Sequence, residues 1–392
     1  MYSLLLALIY LAFISLGLPD SLLGSAWPVM RVEFSAPLSF AGAVTMVISG
    51  GTIISSLLSD RLTRKLGPGL VTAVSVGMTA AALFGFSISR SSWMLFLFAV
   101  PYGLGAGAVD AALNNYAAIH CTSRQMSWLH CFWGVGASIS PYIMSFSLST
   151  RFGWQGGYRT VGMIQVILTA VLFLALPLWR KNSESRSASS DTGTAPPLGI
   201  SGALKIPGVP FILLSFFGYC ALESTTGLWA GSYLAEHRGV GTETAAMFSS
   251  LFYLGITFGR FLSGFVADRL GDRRLIRIGV STVCAGLILV MLPLKTDIPA
   301  LAGLLIVGLG GAPVYPAIIH STPENFGREN SQAIVGIQMA CAYCGSTFIP
   351  PLFGLIANNG NLWLYPFFLA VFAALTLFTT ELLNRRKRQE LL

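Results

Sequence analysis

The chain has 392 residues, of which 54% are hydrophobic and only 10% charged, with a formal net charge of +8 and a mean hydropathy of +0.70. Water-soluble domains carry about 25% charged residues, so an ordinary soluble fold is excluded. Nucleic-acid binding is excluded too, because the basic residues do not cluster on any polar domain.

Twelve apolar segments are long enough to cross a hydrocarbon core of about 30 Å. They cover residues 2–28, 38–58, 70–89, 93–117, 127–149, 158–179, 208–234, 243–266, 275–294, 298–319, 331–356 and 362–384. The first begins at Met1 with no basic leader and no small-residue cleavage site, and it outruns a signal h-region, so it reads as a retained helix. It contains Gly17-Leu-Pro-Asp-Ser-Leu-Leu-Gly-Ser-Ala-Trp-Pro28. Asp20, Gly24 and Trp27 share one helical face there. Pro19 and Pro28 free the carbonyls of Ser15 and Gly24, which are tolerated most easily beside water or polar partners. Segment four places Gly103, Gly107, Asp110 and Asn114 on one face; segment five holds His130 and Trp133; segment six holds Gln165. Gln165 and Gln338 are polar residues suited either to cargo or to interhelical hydrogen bonds.

A polar, Ser-rich stretch at 180–206 then separates an N-terminal six-helix unit, 1–179, from a C-terminal one, 207–392. Segment seven carries Glu223 and, six residues on, Trp229, which echoes Asp20 and Trp27. Segment eight carries Arg260, segment ten Tyr315, and segment eleven Gln338 together with Cys341 and Cys344. The six cysteines sit in or beside apolar segments and suggest close packing, with no metal or disulfide framework. His120, His237 and His320 fall at helix ends or in loops and receive no role.

The two halves repeat one another. Asp60-Arg-Leu-Thr-Arg-Lys65 recurs 208 residues later as Asp268-Arg-Leu-Gly-Asp-Arg-Arg274. The glycine-rich run at Gly103 recurs at an offset of 205, and Gly136-Ala-Ser-Ile-Ser-Pro141 at 209. Three near-equal offsets in one order indicate a duplicated six-helix unit. Of 24 Lys and Arg residues, 17 fall on the side that also holds the C-terminal tail, six on the other, and Arg260 within a helix. The positive-inside rule therefore predicts that both termini are cytoplasmic, with the chain in a plasma membrane.

Ionisable groups inside a bilayer cost about 2.5 kcal/mol or more by insertion scales and are functional candidates by default. Asp20, Asp110 and Glu223 qualify, and the sequence places no Lys or Arg at comparable depth. Each is expected to hold a proton in a closed cavity and to release it when water enters. Indole planes and carboxylates together suit a sugar, whose C–H faces stack while its hydroxyls need acceptors. The predicted solute-binding set is Asp20, Trp27, Asp110, Asn114, His130, Trp133, Glu223, Trp229, Tyr315 and Gln338. No metal, cofactor or catalytic constellation is expected, and hence no enzymatic activity.

The duplicated Asp-Arg-Leu loop, preceded four residues earlier by Gly264 in the second copy and Ser56 in the first, resembles the signature loop of the major facilitator superfamily. That resemblance implies an all-α fold of two pseudo-symmetric six-helix bundles around a central cavity, acting by alternating access as a monomer. It also implies a cytoplasmic latch built from Asp60, Arg61, Arg64 and Lys65 with Asp268, Arg269, Arg273 and Arg274; Arg260, about two turns before Asp268, is placed to point toward that latch or to snorkel to the headgroups. The acid of helix one, Asp110 with Asn114 on helix four, Ser127-Trp-Leu-His-Cys-Phe-Trp-Gly-Val-Gly136 on helix five and Val314-Tyr-Pro-Ala317 on helix ten resemble the fucose–galactose–glucose proton symporters of bacterial inner membranes. In that group, acids on helices one and four couple protons and recognise sugar, which implies those roles for Asp20 and Asp110; Glu223 has no counterpart in the group pattern. The partners expected are therefore a proton, a small polar solute such as a monosaccharide, and the lipid bilayer. The rival reading is proton-driven export of drugs or metabolites. Exporters of the superfamily usually carry an Arg on helix four and a Gly-Pro-x-x-Gly-Gly run on helix five. Residues 93–105 contain no Arg, and Pro141 is followed by Tyr-Ile-Met.

Overall fold

The structure is a computed structural model that describes residues 2–37, 39–179, 198–294 and 296–390. Most of the predicted linker, 180–197, lies outside the described residues, as does Lys295 of the loop map. Among the described residues every regular element is helical. In chain order these are α1 (Tyr2–Asp20), α2 (Leu22–Glu33), α3 (Phe40–Leu66), α4 (Pro68–Ile88), α5 (Ser92–His120), α6 (Ser123–Leu148), α7 (Gly153–Leu174), α8 (Gly199–Lys205) and α9 (Val209–Ser232). There follow α10 (Thr242–Leu270), α11 (Asp272–Met291), α12 (Ile298–Gly311), α13 (Val314–His320), α14 (Thr322–Phe326), α15 (Arg328–Ile356) and α16 (Tyr365–Glu390).

Eleven spans among the described residues are long and apolar enough to cross a membrane, one fewer than the sequence suggests. The remaining one is α6, whose 26 residues rise far enough at about 1.5 Å each. Ser123, Gln125, Ser127, His130 and four further serines between Ser138 and Ser147 lower its hydropathy.

The chain divides into two compact units, Met1–Tyr116 with Phe132–Ile200, and Ala117–Cys131 with Ser201–Leu392. In the first, α4 packs along α7, which also receives α1 and α2. Trp27, Phe86, Trp154 and Tyr158 fill its core, while Trp93, Leu97, Phe146 and Leu174 point outward, an apolar belt such as lipid would cover. In the second unit α9 packs against α15 and α16, and α11 against α12. A Cβ on Gly286 would stand 2.7 Å from the Gly303 carbonyl, and one on Gly303 2.6 Å from that of Gly286; only small residues let two backbones approach so closely.

Helix one is a single span with a local interruption. Pro19 cannot donate to the Ser15 carbonyl, and the Gln165 Nε2 of α7 donates to it instead at 2.6 Å. This accounts for both the buried Gln165 and the proline, since an orphan carbonyl at this depth would be costly. One turn on, α1 ends at Asp20 and α2 begins at Leu22, and the Ser21 hydroxyl between them donates to the Ala137 carbonyl at 3.0 Å. Gly17 meets the backbone of Trp133 and Ala137, and Gly136 meets the Ile14 carbonyl, so a Cβ on either would overlap main-chain atoms. α1 and α6 therefore touch backbone to backbone just beneath Asp20.

Gly136→Val is accordingly expected to destabilise the protein by about 1–3 kcal/mol through overpacking, read as a lower thermal midpoint in detergent. Gly24→Ala, where a Cβ would have nothing within 4 Å, is expected to melt within about 0.5 kcal/mol of the parent. Equal melting of the two variants would contradict the α1–α6 crossing.

Candidate functional site

The close crossing of α1 and α6 brings Asp20 and Trp133 together. The Trp133 Nε1–H donates to Asp20 Oδ2 at 3.1 Å, and the Tyr102 hydroxyl of α5 donates to Oδ1 at 3.4 Å. Asp20 is exposed, whereas Tyr102 is buried against Phe86, with ring centroids 6.2 Å apart. Both hydrogen-bond donors of the carboxylate are neutral groups, so losing its charge breaks no ion pair. Asp110 is close enough to act on Asp20 electrostatically. Asp110 also accepts from its own neighbour: the Asn114 Nδ2 donates to Oδ1 at 2.6 Å and to the Asp110 carbonyl at 3.0 Å. The amide one turn on is thus a direct partner of the acid and is itself fully buried. Asp110 is set in place by α3, where the Ser56 hydroxyl donates to the Gly107 carbonyl at 3.2 Å and a Cβ on Gly107 would strike the Thr52 carbonyl.

Trp27 does not join this group. Asp20 and Gly24 are exposed on the shared face, but the Trp27 indole is buried and stacks on Phe40 of α3 at 6.4 Å, within the core of the first unit. Helical spacing identifies the face correctly and cannot show that the start of α3 covers one end of it.

The second unit holds a different arrangement. Glu223 on α9 is paired with Arg260 on α10, the Nη2 lying 3.5 Å from Oε1. The expectation that no cation stands beside the membrane acids is corrected here for Glu223. The same fact corrects the placing of Arg260 with the latch: the residue is 2% exposed and its guanidinium lies 5.8 Å from the Tyr315 ring centre. A guanidinium two turns inside a helix is stable where a carboxylate and an aromatic face receive it. Tyr315 also packs edge-on against His130 at 4.8 Å and Phe216 at 4.6 Å. His130, Tyr315, Arg260 and Glu223 therefore form one cluster.

Two further predicted solute contacts are engaged elsewhere. The Trp229 Nε1–H donates to the Pro350 carbonyl at 2.9 Å, and its ring packs on Phe353, so it fastens α9 to α15. Gln338 is fully buried, its Oε1 accepting from Thr322 Oγ1 at 2.9 Å.

The signature loops behave unequally. At the end of α3, Arg64 pairs with Asp60 one turn away at 2.8 Å, while Arg61 and Lys65 are exposed. At the end of α10, Asp268 accepts from the Arg124 backbone N–H at 2.9 Å, and the Arg124 Nε lies 3.3 Å from its other oxygen. An acid at the first turn of α6 is well placed to satisfy helix N–H groups. Arg273 approaches Glu324 at 3.7 Å, and Arg269 and Arg274 are exposed. Sequence reasoning missed Tyr102, whose hydroxyl reaches Asp20 from another helix, and the partners of Asp272. The extra acid in the second loop was the available signal for the latter.

A profile of the Major Facilitator Superfamily matches residues 9–294 and 211–390. "Bypass of stop codon protein 6" of Saccharomyces cerevisiae is 24% identical over 94% of this chain and 80% of its own length. The glucose/mannose transporter GlcP of Bacillus subtilis is 20% identical over 91% of this chain and 88% of its own. The E. coli fucose:proton symporter FucP superposes with a TM-score of 0.73 at 16% identity, covering 97% of this chain and 99% of that one, which shows a common fold. With the repeated six-helix halves and the paired Asp-Arg loops, these matches place the chain in the major facilitator superfamily, a family of membrane transporters.

Proposed function

We propose that this transporter takes up a monosaccharide or similar small polar solute together with protons, in a bacterial inner membrane with both termini cytoplasmic. The observation that carries the reading is the Asp20 carboxylate, exposed at the end of α1 and held by an indole N–H and a phenol O–H. Such a carboxylate can exchange a proton and accept sugar hydroxyls without first breaking a salt bridge. The Trp133 ring beside it offers a plane for the C–H face of a pyranose. Asp110, tied to Asn114 and electrically coupled to Asp20, is the second proton carrier in this reading. Glu223 and Arg260 neutralise one another and orient Tyr315, with His130 alongside, as a polar and aromatic wall. GlcP and FucP, with transport names of glucose/mannose and fucose:proton, support the substrate class by similarity.

The test is uptake of labelled monosaccharides into proteoliposomes under an imposed pH gradient. The parent is expected to accumulate sugar when the proton gradient is inward. Asp20→Asn is expected to abolish accumulation while leaving equilibrium exchange measurable. No uptake of any monosaccharide by the parent would reject the substrate class, and gradient-independent uptake would reject proton coupling.

The Glu223–Arg260 pair has its own signature. Arg260→Met leaves the Glu223 carboxylate without its cation and is expected to lower stability by about 3 kcal/mol or more. The double variant with Glu223→Gln regains part of that loss, giving a coupling energy of about 0.5–3 kcal/mol in a thermal-unfolding cycle. Strict additivity would show that the two side chains do not act as a pair.

A further inference from the structure

We infer that His320 and Asp272 form a second proton-binding site, apart from the membrane acids, and that the bound proton fastens the segment Ala117–Cys131 to the rest of the second unit. The inference is independent of the solute and of the role proposed for Asp20.

Asp272 is the residue by which the second Asp-Arg loop exceeds the first, and it opens α11. It is buried, with its side chain 7% exposed, while the His320 side chain at the end of α13 is 18% exposed. The His320 Nδ1 lies 2.6 Å from Asp272 Oδ2, and its Nε2 lies 3.0 Å from the Cys121 carbonyl oxygen. The Ser123 hydroxyl donates to the other carboxylate oxygen, Oδ1, at 2.7 Å and stands 3.1 Å from Nδ1.

Both imidazole nitrogens thus face oxygens, a carboxylate on one side and a carbonyl on the other. A neutral imidazole carries one N–H, so beside an ionised Asp272 one nitrogen lone pair would confront an oxygen lone pair. One added proton removes the conflict. Placed on the ring, it makes an imidazolium with two donors; placed on the carboxyl, it lets Asp272 donate to Nδ1 while Nε2–H serves the carbonyl. The proton belongs to the pair, as expected for two groups this close.

The charged groups around the pair also favour the cation. Glu324 of α14 is near enough to be felt by His320 and is itself approached by Arg273 of α11 at 3.7 Å. On the segment itself, Arg124 is balanced by Asp268 of α10. Burial of the ring opposes the cation, and against it act the hydrogen bond and charge of Asp272, then the Cys121 carbonyl and Glu324. Since the His320 contacts are complete only in the form that carries the extra proton, that part of the fastening is expected to weaken when the proton is lost.

The mechanical consequence follows from the chain path. Ala117–Cys131 spans the end of α5 and the start of α6, and both helices continue into the first unit. His320 and Asp272 hold this segment by the Cys121 carbonyl and the Ser123 hydroxyl.

The experiment uses the full chain in nanodiscs. Imidazole 15N NMR, with the His320 signal assigned by its loss in His320→Gln, is expected to show N–H groups on both nitrogens near pH 6, or one N–H and a strongly shifted Nδ1 if the carboxyl holds the proton. Asp272→Asn is expected to abolish that state. Amide exchange of Ala117–Cys131, corrected for the intrinsic pH dependence, is expected to speed up severalfold in the parent as the pair deprotonates. In His320→Gln it should be fast at every pH, with α9 and α15 unchanged as an internal control for folding. A His320 ring that is singly protonated and unshifted near pH 6, or segment exchange that follows the same corrected course in parent and His320→Gln, would overturn the inference.

Discussion

The structure of the first unit depends on one hydrogen bond that replaces another. Pro19 removes the helical donor to the Ser15 carbonyl, and the Gln165 amide restores it from α7 at 2.6 Å. A bilayer leaves no water to satisfy that oxygen, so a proline next to the acid is tolerable only where a neighbouring helix supplies the missing N–H. With the carbonyl satisfied, helix one can be interrupted at Ser21 and the chain can present Asp20 outward from the end of α1. Gly17 and Gly136 then let α6 approach backbone to backbone, which puts the Trp133 indole within 3.1 Å of the carboxylate. Proline, glutamine and two glycines thus converge on one side chain.

This pattern explains why some of the site was legible in sequence. Asp20 was conspicuous because an acid in an apolar run is costly, and Pro19 predicted a freed carbonyl at Ser15 by simple counting back four residues. Asp110 and Asn114 stood one turn apart, and the structure joins them at 2.6 Å. Tyr102 was not legible, because its hydroxyl meets Asp20 across 82 positions and no local spacing encodes that meeting. Trp27 misled for the complementary reason. Its period matched the face of Asp20, but burial depends on what packs opposite, and the opposing ring is Phe40 of α3. The same gap between period and packing sent Arg260 to the latch in sequence, whereas the structure turns it toward Glu223 and Tyr315.

The duplication sets the frame within which the two units differ. Both copies have an acid on their first helix, at Asp20 and Glu223, yet one is held by neutral donors and the other by a guanidinium. A carboxylate bonded by an indole and a phenol changes charge at the cost of modest hydrogen bonds, about 1.5–3 kcal/mol each when the acceptor is charged. One paired with a buried Arg must give up an ion pair as well, which costs more. In the proposed reading the first unit exchanges protons, while the second holds an ion pair beside an aromatic cluster. Repetition preserves the scaffold while single substitutions assign separate electrostatic tasks.

A like divergence separates the two Asp-Arg loops. In the first copy Asp60 closes on Arg64 of its own helix, a local i,i+4 pair of the kind worth only a few tenths of a kcal/mol when exposed. In the second copy Asp268 reaches the backbone and guanidinium of Arg124, more than a hundred positions away, and the added Asp272 reaches Ser123 and His320. Both of these carboxylates reach the short segment where α5 gives way to α6. Asp268 caps the start of α6 through a backbone N–H. Adding one imidazole to such a cap makes part of it depend on a proton without disturbing the rest. The extra acid is therefore best understood as the counter-charge that lets His320 bind the segment conditionally, beside the contact that Asp268 makes with Arg124.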